Sequence, residues 1–185
     1  MRWYLGMLFA CACGAAISFA LLPVNEAAFA AALAVIAIVI AMVDLEFFII
    51  PDGANVTMFA IGLFWVSTQA SSGFELSALG DAVVRGVVAG GALLLLRMFY
   101  RWRTGVDGLG LGDVKLAAAG GPWLTWPSLP MVLAIAAIAA LAIVAARAMA
   151  AGKAIDRTAP LPFGAFLAPS IWLVFVLDRI GFSSI

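Results

Sequence analysis

Two aspartates occupy positions where a protein embedded in lipid tolerates a charge least. Asp44 follows the apolar run 27–43, and Asp113 closes the glycine-rich string Gly108-Leu-Gly-Leu-Gly-Asp just before another apolar run. A lone carboxylate at membrane depth is unfavourable unless it is paired, hydrated or protonated, so acids within a membrane are candidate functional groups. Two carboxylates can serve together as general acid and general base. We therefore predict that Asp44 and Asp113 form a catalytic pair.

The rest of the sequence leaves acid and base chemistry to the carboxylates. It contains no histidine, which excludes Ser-His-Asp and Cys-His sites and removes the commonest metal ligand. Cys11 and Cys13 are two positions apart in an apolar run, so on a helix they point roughly 200° apart. We interpret them as lipid-facing or core-facing side chains, and we expect no metal and no cofactor. The formal net charge of zero argues against nucleic acid as a partner.

The composition is that of a membrane protein. Hydrophobic residues make up 66% and charged residues 11% of the chain, and the mean hydropathy is +1.17, whereas soluble domains are about 45–50% apolar. Because a spanning helix needs about 20 apolar residues, we predict an all-α polytopic membrane helix bundle of six to seven spans. The fifth segment is short, so it could be a thin span or could dip into the membrane. The predicted helices cover residues 3–22, 27–50, 54–70, 79–100, 113–126, 129–150 and 163–180.

The charged residues between these helices orient the bundle. With a cytoplasmic N-terminus, Arg2, the segment 97–115 and the segment 147–157 all lie on the cytoplasmic side. The opposite side then carries Glu26 and Glu75 and few cations, as the positive-inside rule expects. The first apolar run could instead be a signal peptide, because an arginine precedes it.

The same count of spans relates the two aspartates to each other. An even number of predicted crossings separates Asp44 from Asp113, so both acids are expected on one side of the membrane. With the orientation given by the loop charges, that side is the cytoplasmic one. The placement of both acids on one side follows from the spacing of the apolar runs alone.

The glycine-rich string does not match a nucleotide-binding motif. Its spacing is not G-x-G-x-x-G, no βαβ unit surrounds it, and Lys115 does not follow a glycine as a phosphate-binding loop requires. Gly110 and Gly112 would instead allow a close approach of the backbone to another chain. Asp113 could also cap the helix that follows, a role compatible with catalysis. Lys115 could stay in the basic loop or could hold Asp113 ionised.

Several other polar and small residues have simple structural interpretations. Asp52 follows a proline and is interpreted as a solvated acid at a helix end. Gly86 and Gly90 form a small-xxx-small pattern that favours helix packing. Asp81 and Arg85 lie four residues apart, which predicts a neutralising pair on one helix face.

Three blocks of the sequence resemble the type IV prepilin peptidases, the membrane aspartyl peptidases with a GxGD motif. The blocks are 44–52 with its Pro-Asp end, 110–116 with Gly-Leu-Gly-Asp-Val-Lys-Leu, and 161–167 with Leu-Pro-Phe-Gly-Ala-Phe-Leu. They occur in the order in which the family has them. The resemblance divides the chain into an N-terminal transmembrane helix, 1–26, and a catalytic membrane peptidase domain, 27–185.

The resemblance implies an aspartyl endopeptidase of the bacterial inner membrane, with its active site facing the cytoplasm. Its substrates would be prepilins or pseudopilins of type IV pili and protein secretion systems, from which it removes the short basic leader just before the hydrophobic helix. Larger members of the family carry a cytoplasmic domain with paired C-x-x-C motifs and also N-methylate the product. Here only residues 22–25 separate the first two apolar runs, so we expect a short form without methyltransferase activity.

By position, Asp44 and Asp113 match the catalytic aspartates of the family. We expect them to share one proton and to activate a water molecule. Acidic residues near them, Asp107 among these, could offset the basic loops and so favour a cationic leader. The residues predicted to support the loop or to bind substrate are Gly110, Gly112, Lys115, Glu46 and Asp52.

Other functions remain open from the sequence. A GxGD-type intramembrane protease would cut within the spans of its substrate rather than at their cytoplasmic edge. A small proton-coupled transporter could use the two acids as a relay, although no inverted repeat or broken midplane helix is evident. A structural scaffold would be indifferent to the loss of either acid. The expected partners are the lipid bilayer and a prepilin or pseudopilin, and the sequence indicates neither the particular substrate nor the oligomeric state.

Overall fold

The computed structural model describes residues 2–69, 76–151 and 161–181. Within these residues the chain forms seven α-helices, a short 3₁₀ turn and no strand, which confirms the all-α prediction. Glu75, Lys153 and Arg157, whose charges entered the orientation argument, lie outside the described residues. The elements are α1 (Arg2–Leu21), α2 (Val24–Phe47), α3 (Asp52–Thr68), α4 (Leu76–Thr104), α5 (Leu111–Gly120), the 3₁₀ turn (Gly121–Trp123), α6 (Ser128–Ala151) and α7 (Gly164–Arg179).

The helices identify a multi-pass membrane protein. Three of those described are long and apolar enough to cross a membrane, namely α2, α4 and residues Ser128–Ala150 of α6. Each of the seven helices overlaps one of the seven predicted segments, because continuous apolar runs in lipid leave the backbone no alternative to helical hydrogen bonding. Helix α1 packs along α2, and the indole nitrogen of Trp172 on α7 donates to the hydroxyl of the buried Ser18 at 3.2 Å.

Helix α2 ends three residues before the predicted boundary at Ile50. The helix stops at Phe47, and Phe48 adopts a left-handed conformation with φ 55° while its N–H bonds the carbonyl oxygen of Asp44 at 2.9 Å. Pro51 then precedes the first turn of α3, and a proline disfavours a helical conformation in the residue before it. The prediction was wrong here because the sequence stays apolar beyond the end of the helix.

Helix α5 is too short to cross the membrane by itself. Its ten residues rise about 15 Å, which is half of the roughly 30 Å of the hydrocarbon core. After Gly120 the chain passes through the 3₁₀ turn and becomes extended at Leu124. The helix contacts α3, α4 and α7, and half of its residues are buried. The segment as a whole begins beside Asp44 and ends at the opposite end of the bundle, where Trp126 bonds Asp81 and Ser128 bonds Asp178 in the last turn of α7. Of the two predicted alternatives, a thin span or a dip into the membrane, these contacts favour the thin span.

Glycines allow α5 and the 3₁₀ turn to lie directly against α4. A Cβ atom on Gly86 would lie 2.6 Å from the carbonyl oxygen of Ala118, and one on Gly90 would lie 2.9 Å from the Cβ of Ala118. A Cβ on Gly121 would lie 2.2 Å from the backbone nitrogen of Gly86. The predicted packing role of Gly86 and Gly90 is therefore confirmed.

A polar network lies in the N-terminal part of α4, next to this crossing. Asp81 and Arg85 form the predicted i, i+4 ion pair. The Nε of Arg85 also donates to the carbonyl oxygen of Gly121 at 3.2 Å, and the indole nitrogen of Trp126 donates to Asp81 at 3.0 Å. Side chains of α4 thus hold the turn that follows α5.

Aromatic side chains join α3, α7 and the 3₁₀ turn in the core. The ring of Phe175 packs edge-on against the rings of Trp65 and Trp123, with centroids 5.7 and 5.4 Å away. The indole nitrogen of Trp123 donates to the carbonyl oxygen of Met58 at 2.9 Å. The guanidinium of Arg179 lies 5.3 Å from the centre of the Trp65 ring. These contacts fix the long axis of α7, whose other end forms part of the site described next.

Candidate active site

Asp44 lies in the last turn of α2 and points at the beginning of α7. Its side chain is only 5% exposed, and its Oδ2 atom accepts a hydrogen bond of 2.8 Å from the backbone N–H of Ala165. The N–H of Gly164, at the start of α7, also interacts with this carboxylate. The first N–H groups of a helix have no acceptor within the helix, so Asp44 supplies the acceptor that α7 needs.

Asp113 lies in the first turn of α5 and is 7% exposed. Its Oδ2 atom accepts a hydrogen bond of 3.2 Å from the N–H of Gly110, the residue that caps the helix. The predicted capping role is therefore present, although Asp113 is the third residue of the helix rather than the cap itself. The N–H of Gly164 interacts with Asp113 as well as with Asp44. One backbone amide thus lies between the two acids.

The two carboxylates share a cavity. Both line a space of about 260 Å³, and they interact electrostatically. A water molecule occupies about 30 Å³ in the liquid, so the space can hold several waters or part of a peptide. The prediction that an even number of crossings brings Asp44 and Asp113 to one side agrees with this arrangement. Their catalytic role is a separate matter and stays a prediction.

Glycines form the cavity wall where the backbone approaches the acids. Gly110 and Gly112, two of the predicted loop residues, both line the cavity. A Cβ on Gly110 would lie 3.1 Å from Oδ2 of Asp113, and one on Gly112 would lie 3.2 Å from the Cβ of Ile50. A Cβ on Gly164 would meet Ile50 Cδ1 at 2.5 Å and Asp44 Oδ2 at 3.0 Å. Gly164 was not among the predicted site residues, although it stands in the third block of the family resemblance.

The predicted site residues with charged side chains separate into two groups. Lys115 and Asp52 line the cavity, are largely exposed, and form an ion pair of 2.8 Å. Lys115 therefore neutralises Asp52 rather than Asp113 in this structure. Glu46 is exposed on α2 and is not part of the cavity lining. Asp107 lies 2.7 Å from Arg97 and is committed to that ion pair.

The structure offers few ligands for a metal ion. Among the described residues, no three Cys, Asp or Glu side chains are grouped closely enough to hold one. Cys11 and Cys13 are free thiols that are partly buried on α1. The buried titratable groups of the cavity are the carboxyl groups of Asp44 and Asp113, and the exposed Asp52–Lys115 ion pair lies at its edge.

Comparison with known proteins gives a consistent result. Residues 31–145 match the model of the type IV leader peptidase family. The chain is 30% identical over 141 residues to the prepilin leader peptidase/N-methyltransferase of Aeromonas hydrophila, which covers 75% of this chain and 46% of the relative. It is 33% identical over 116 residues to the leader peptidase HopD of Escherichia coli, which covers 63% of this chain and 74% of the relative.

These matches differ in how much of each relative they include. The prepilin leader peptidase/N-methyltransferase of Pectobacterium carotovorum is 32% identical over 147 residues, which cover 79% of this chain and 49% of the relative. The chain thus spans about half the length of the relatives that carry both names. No solved structure matches the chain at a significant level.

Proposed function

Because this chain belongs to the type IV leader peptidase family, we propose that it removes the basic leader of prepilins or pseudopilins at the cytoplasmic edge of the bacterial inner membrane. The observation that carries this proposal is the meeting of Asp44 and Asp113 in one cavity. Both are buried. Because a buried acid in a membrane protein is energetically unfavourable, such acids usually serve a function.

In the proposed mechanism the two carboxyl groups share one proton, since two adjacent carboxylates cannot both ionise cheaply. The ionised member takes a proton from a water molecule, whose oxygen attacks the scissile carbonyl carbon. The protonated member donates its proton to the carbonyl oxygen, and the resulting tetrahedral intermediate collapses as the leaving amine receives a proton. The assignment of acid and base between Asp44 and Asp113 stays open, because the pair titrates as a unit.

Helix α7 supports this mechanism by orienting Asp44. The N–H of Ala165 holds Oδ2 of Asp44 at 2.8 Å, and the positive end of the helix dipole favours a negative charge at that position. The Gly164 amide interacts with both acids and so favours their approach to each other. Such orientation matters because a displacement of about 1 Å at a reacting group can reduce a rate about 100-fold.

We expect that Gly164→Ala lowers kcat for leader cleavage by about 10- to 100-fold and leaves KM nearly unchanged. The added methyl group would push on Asp44 and on Ile50, which also lines the cavity. The acid would leave its position, while the rest of the cavity lining stays in place. Gly53→Ala is the matched control, because a Cβ there has no atom within 4 Å. Purified variants are assayed against a prepilin in detergent. Wild-type kcat in Gly164→Ala would show that this close contact does not position the acid.

The cytoplasmic location of the site is proposed from the loop charges. Arg97 and Arg101 lie near the end of α4 and pair with Asp107, in the connection that leads to α5 and Asp113. Cationic loops favour the cytoplasmic side. A cytoplasmic site is also where a basic leader would remain after its hydrophobic helix has entered the membrane.

We further propose that the chain acts as a peptidase without methyltransferase activity. Helices α1 and α2 are separated by only two residues, so no folded domain lies between them. The match covers about half of the length of the relative whose name includes N-methyltransferase. It covers most of the length of the relative named only as a leader peptidase. Incubation with cleaved pilin and a methyl donor should leave the new N-terminal amine unmodified.

The position of the cut tests the proposed function directly. The purified protein is reconstituted in vesicles with a prepilin, and the products are analysed by mass spectrometry. We expect a single cut between the basic leader and the apolar segment. A cut within the apolar segment would instead indicate an intramembrane protease, and an intact prepilin together with proton-driven solute uptake would indicate a transporter.

A further inference from the structure

A second cavity adjoins the one that contains the aspartates. It has a volume of about 510 Å³ and lies between α3 and α5, where apolar side chains of both helices form its walls. Asp52 and Lys115, which form an ion pair, line this cavity and also the cavity of the acids. The two spaces therefore meet at the ion pair. The apolar lining of the second cavity includes Val56, Phe59, Ala118 and Ala119.

The wall of this second cavity contains an amide side chain with unmet hydrogen bonds. Asn55 is 6% exposed, and neither its Nδ2 nor its Oδ1 has a hydrogen-bond partner among the described residues. Buried polar groups are nearly always paired, because leaving one unpaired forfeits its bonds to water. Replacing Asn55 by an apolar residue of similar size would remove this cost. An unpaired asparagine next to a catalytic cavity therefore points to a ligand that completes its bonds.

The chemistry of a carboxamide identifies that ligand. An asparagine side chain offers donor hydrogens and an acceptor oxygen side by side, which matches the N–H and C=O of a peptide backbone. Peptides that lie extended along a protein are held by such main-chain bonds, and their side chains enter pockets. The second cavity, here called the α3–α5 groove, has apolar walls. An apolar segment of the substrate therefore fits it better than a basic segment.

We propose that the α3–α5 groove binds the apolar stretch of the substrate just after the scissile bond, in an extended conformation, and that Asn55 hydrogen-bonds its backbone. This inference rests on the proposed function. The polar atoms of Asn55 are covered before substrate binds, so the side chain turns toward the groove as the peptide enters. The basic leader then leaves the cavity of the acids on the other side of the ion pair.

The substitution Asn55→Leu tests this inference, because binding and stability should change in opposite directions. We expect KM for a prepilin to rise about 3- to 10-fold through the lost hydrogen bonds, and kcat to change little. The melting temperature should rise by a few degrees, since an unpaired amide is replaced by a side chain of similar volume. An unchanged KM, or a fall in melting temperature, would overturn the inference. Thr57→Val on α3 is the control, because that hydroxyl is exposed and bonds its own helix.

A cross-linking measurement covers the case in which Asn55→Leu fails to fold. The exposed Val56, which lines the groove, is replaced by p-benzoylphenylalanine and irradiated with prepilin bound to the Asp113→Asn variant. Adducts should form with substrate residues just after the scissile bond, and the same replacement at Leu95 on α4 should give none. Adducts with the leader would overturn the inference. If cleavage persists at the parent rate in Asp113→Asn, the two-acid mechanism fails. If the parent protein leaves the prepilin intact, the proposed function fails, whereas failure at Asn55 alone affects only the groove.

Discussion

Asp113→Asn is expected to reduce leader cleavage by about 1000-fold or more, and Asp44→Asn to do the same. Proton transfer by positioned side chains contributes up to about 10⁴-fold, and each amide would remove one of the two groups that exchange protons with water. The Asp44→Asn and Asp113→Asn double variant should be no slower than either single one, because residues that act as a unit lose their effect together. Cleavage is followed by gel shift and by mass spectrometry of the purified proteins.

The control for both aspartate variants is Glu26→Gln. Glu26 lies in the first turn of α2, at the end of the helix opposite to Asp44, and the substitution makes the same chemical change. All three variants should accumulate in the membrane like the parent, since an asparagine side chain keeps the shape of aspartate and can still accept a bond from the N–H of Ala165. Leader removal by either Asp→Asn variant at the rate of the parent protein would rule out the two-acid mechanism.

The second large effect is expected in folding. Gly121→Ala would place a Cβ atom 2.2 Å from the backbone nitrogen and 2.3 Å from the Cα of Gly86. Because the obstructing atoms belong to the backbone of α4, no side chain can move aside, and the crossing of α4 with the 3₁₀ turn must open. We expect a loss of about 3 kcal/mol or more in the free energy of unfolding, at the upper end of overpacking effects.

Thermal unfolding in detergent, monitored by tryptophan fluorescence, measures this loss. It should also appear as a reduced amount of protein in the membrane, because a few kcal/mol is a large part of the total stability of a domain. Gly91→Ala in α4 is the matched control: a Cβ there has no atom within 4 Å, and alanine is favoured over glycine in a helix. Equal melting temperatures for the two variants would show that the crossing tolerates separation.

The sequence was sufficient to predict the helices and the meeting of the two acids. Lipid restricts the backbone to a few solutions, so the apolar runs indicate the helices and their parity brings Asp44 and Asp113 to one side. It was not sufficient to predict where α2 ends, because the apolar run continues past Phe48, whose left-handed conformation depends on the turn into α3. Hydropathy does not register such a turn.

The close contacts of Gly164 and the unpaired amide of Asn55 could not be predicted from the sequence either. Gly164 matters because Asp44 and Ile50 pack against it from α2 and the segment that follows. Asn55 stands out only because its polar atoms are buried without a hydrogen-bond partner among the described residues, in the wall of a cavity that α5 also lines. Both properties come from contacts between residues distant in the chain, and neither leaves a periodic pattern in the residues around them.

The bonds from the start of α7 to Asp44 come from the backbone, and this affects how the protein can vary over evolution. A main-chain donor is present whatever side chain its residue carries, so Ala165 could be exchanged for another small residue without removing the bond to the acid. The constraint on amino-acid type falls instead on Gly164, where space is lacking. A saturation mutagenesis screen should therefore find that small residues are tolerated at position 165, whereas only glycine is tolerated at position 164.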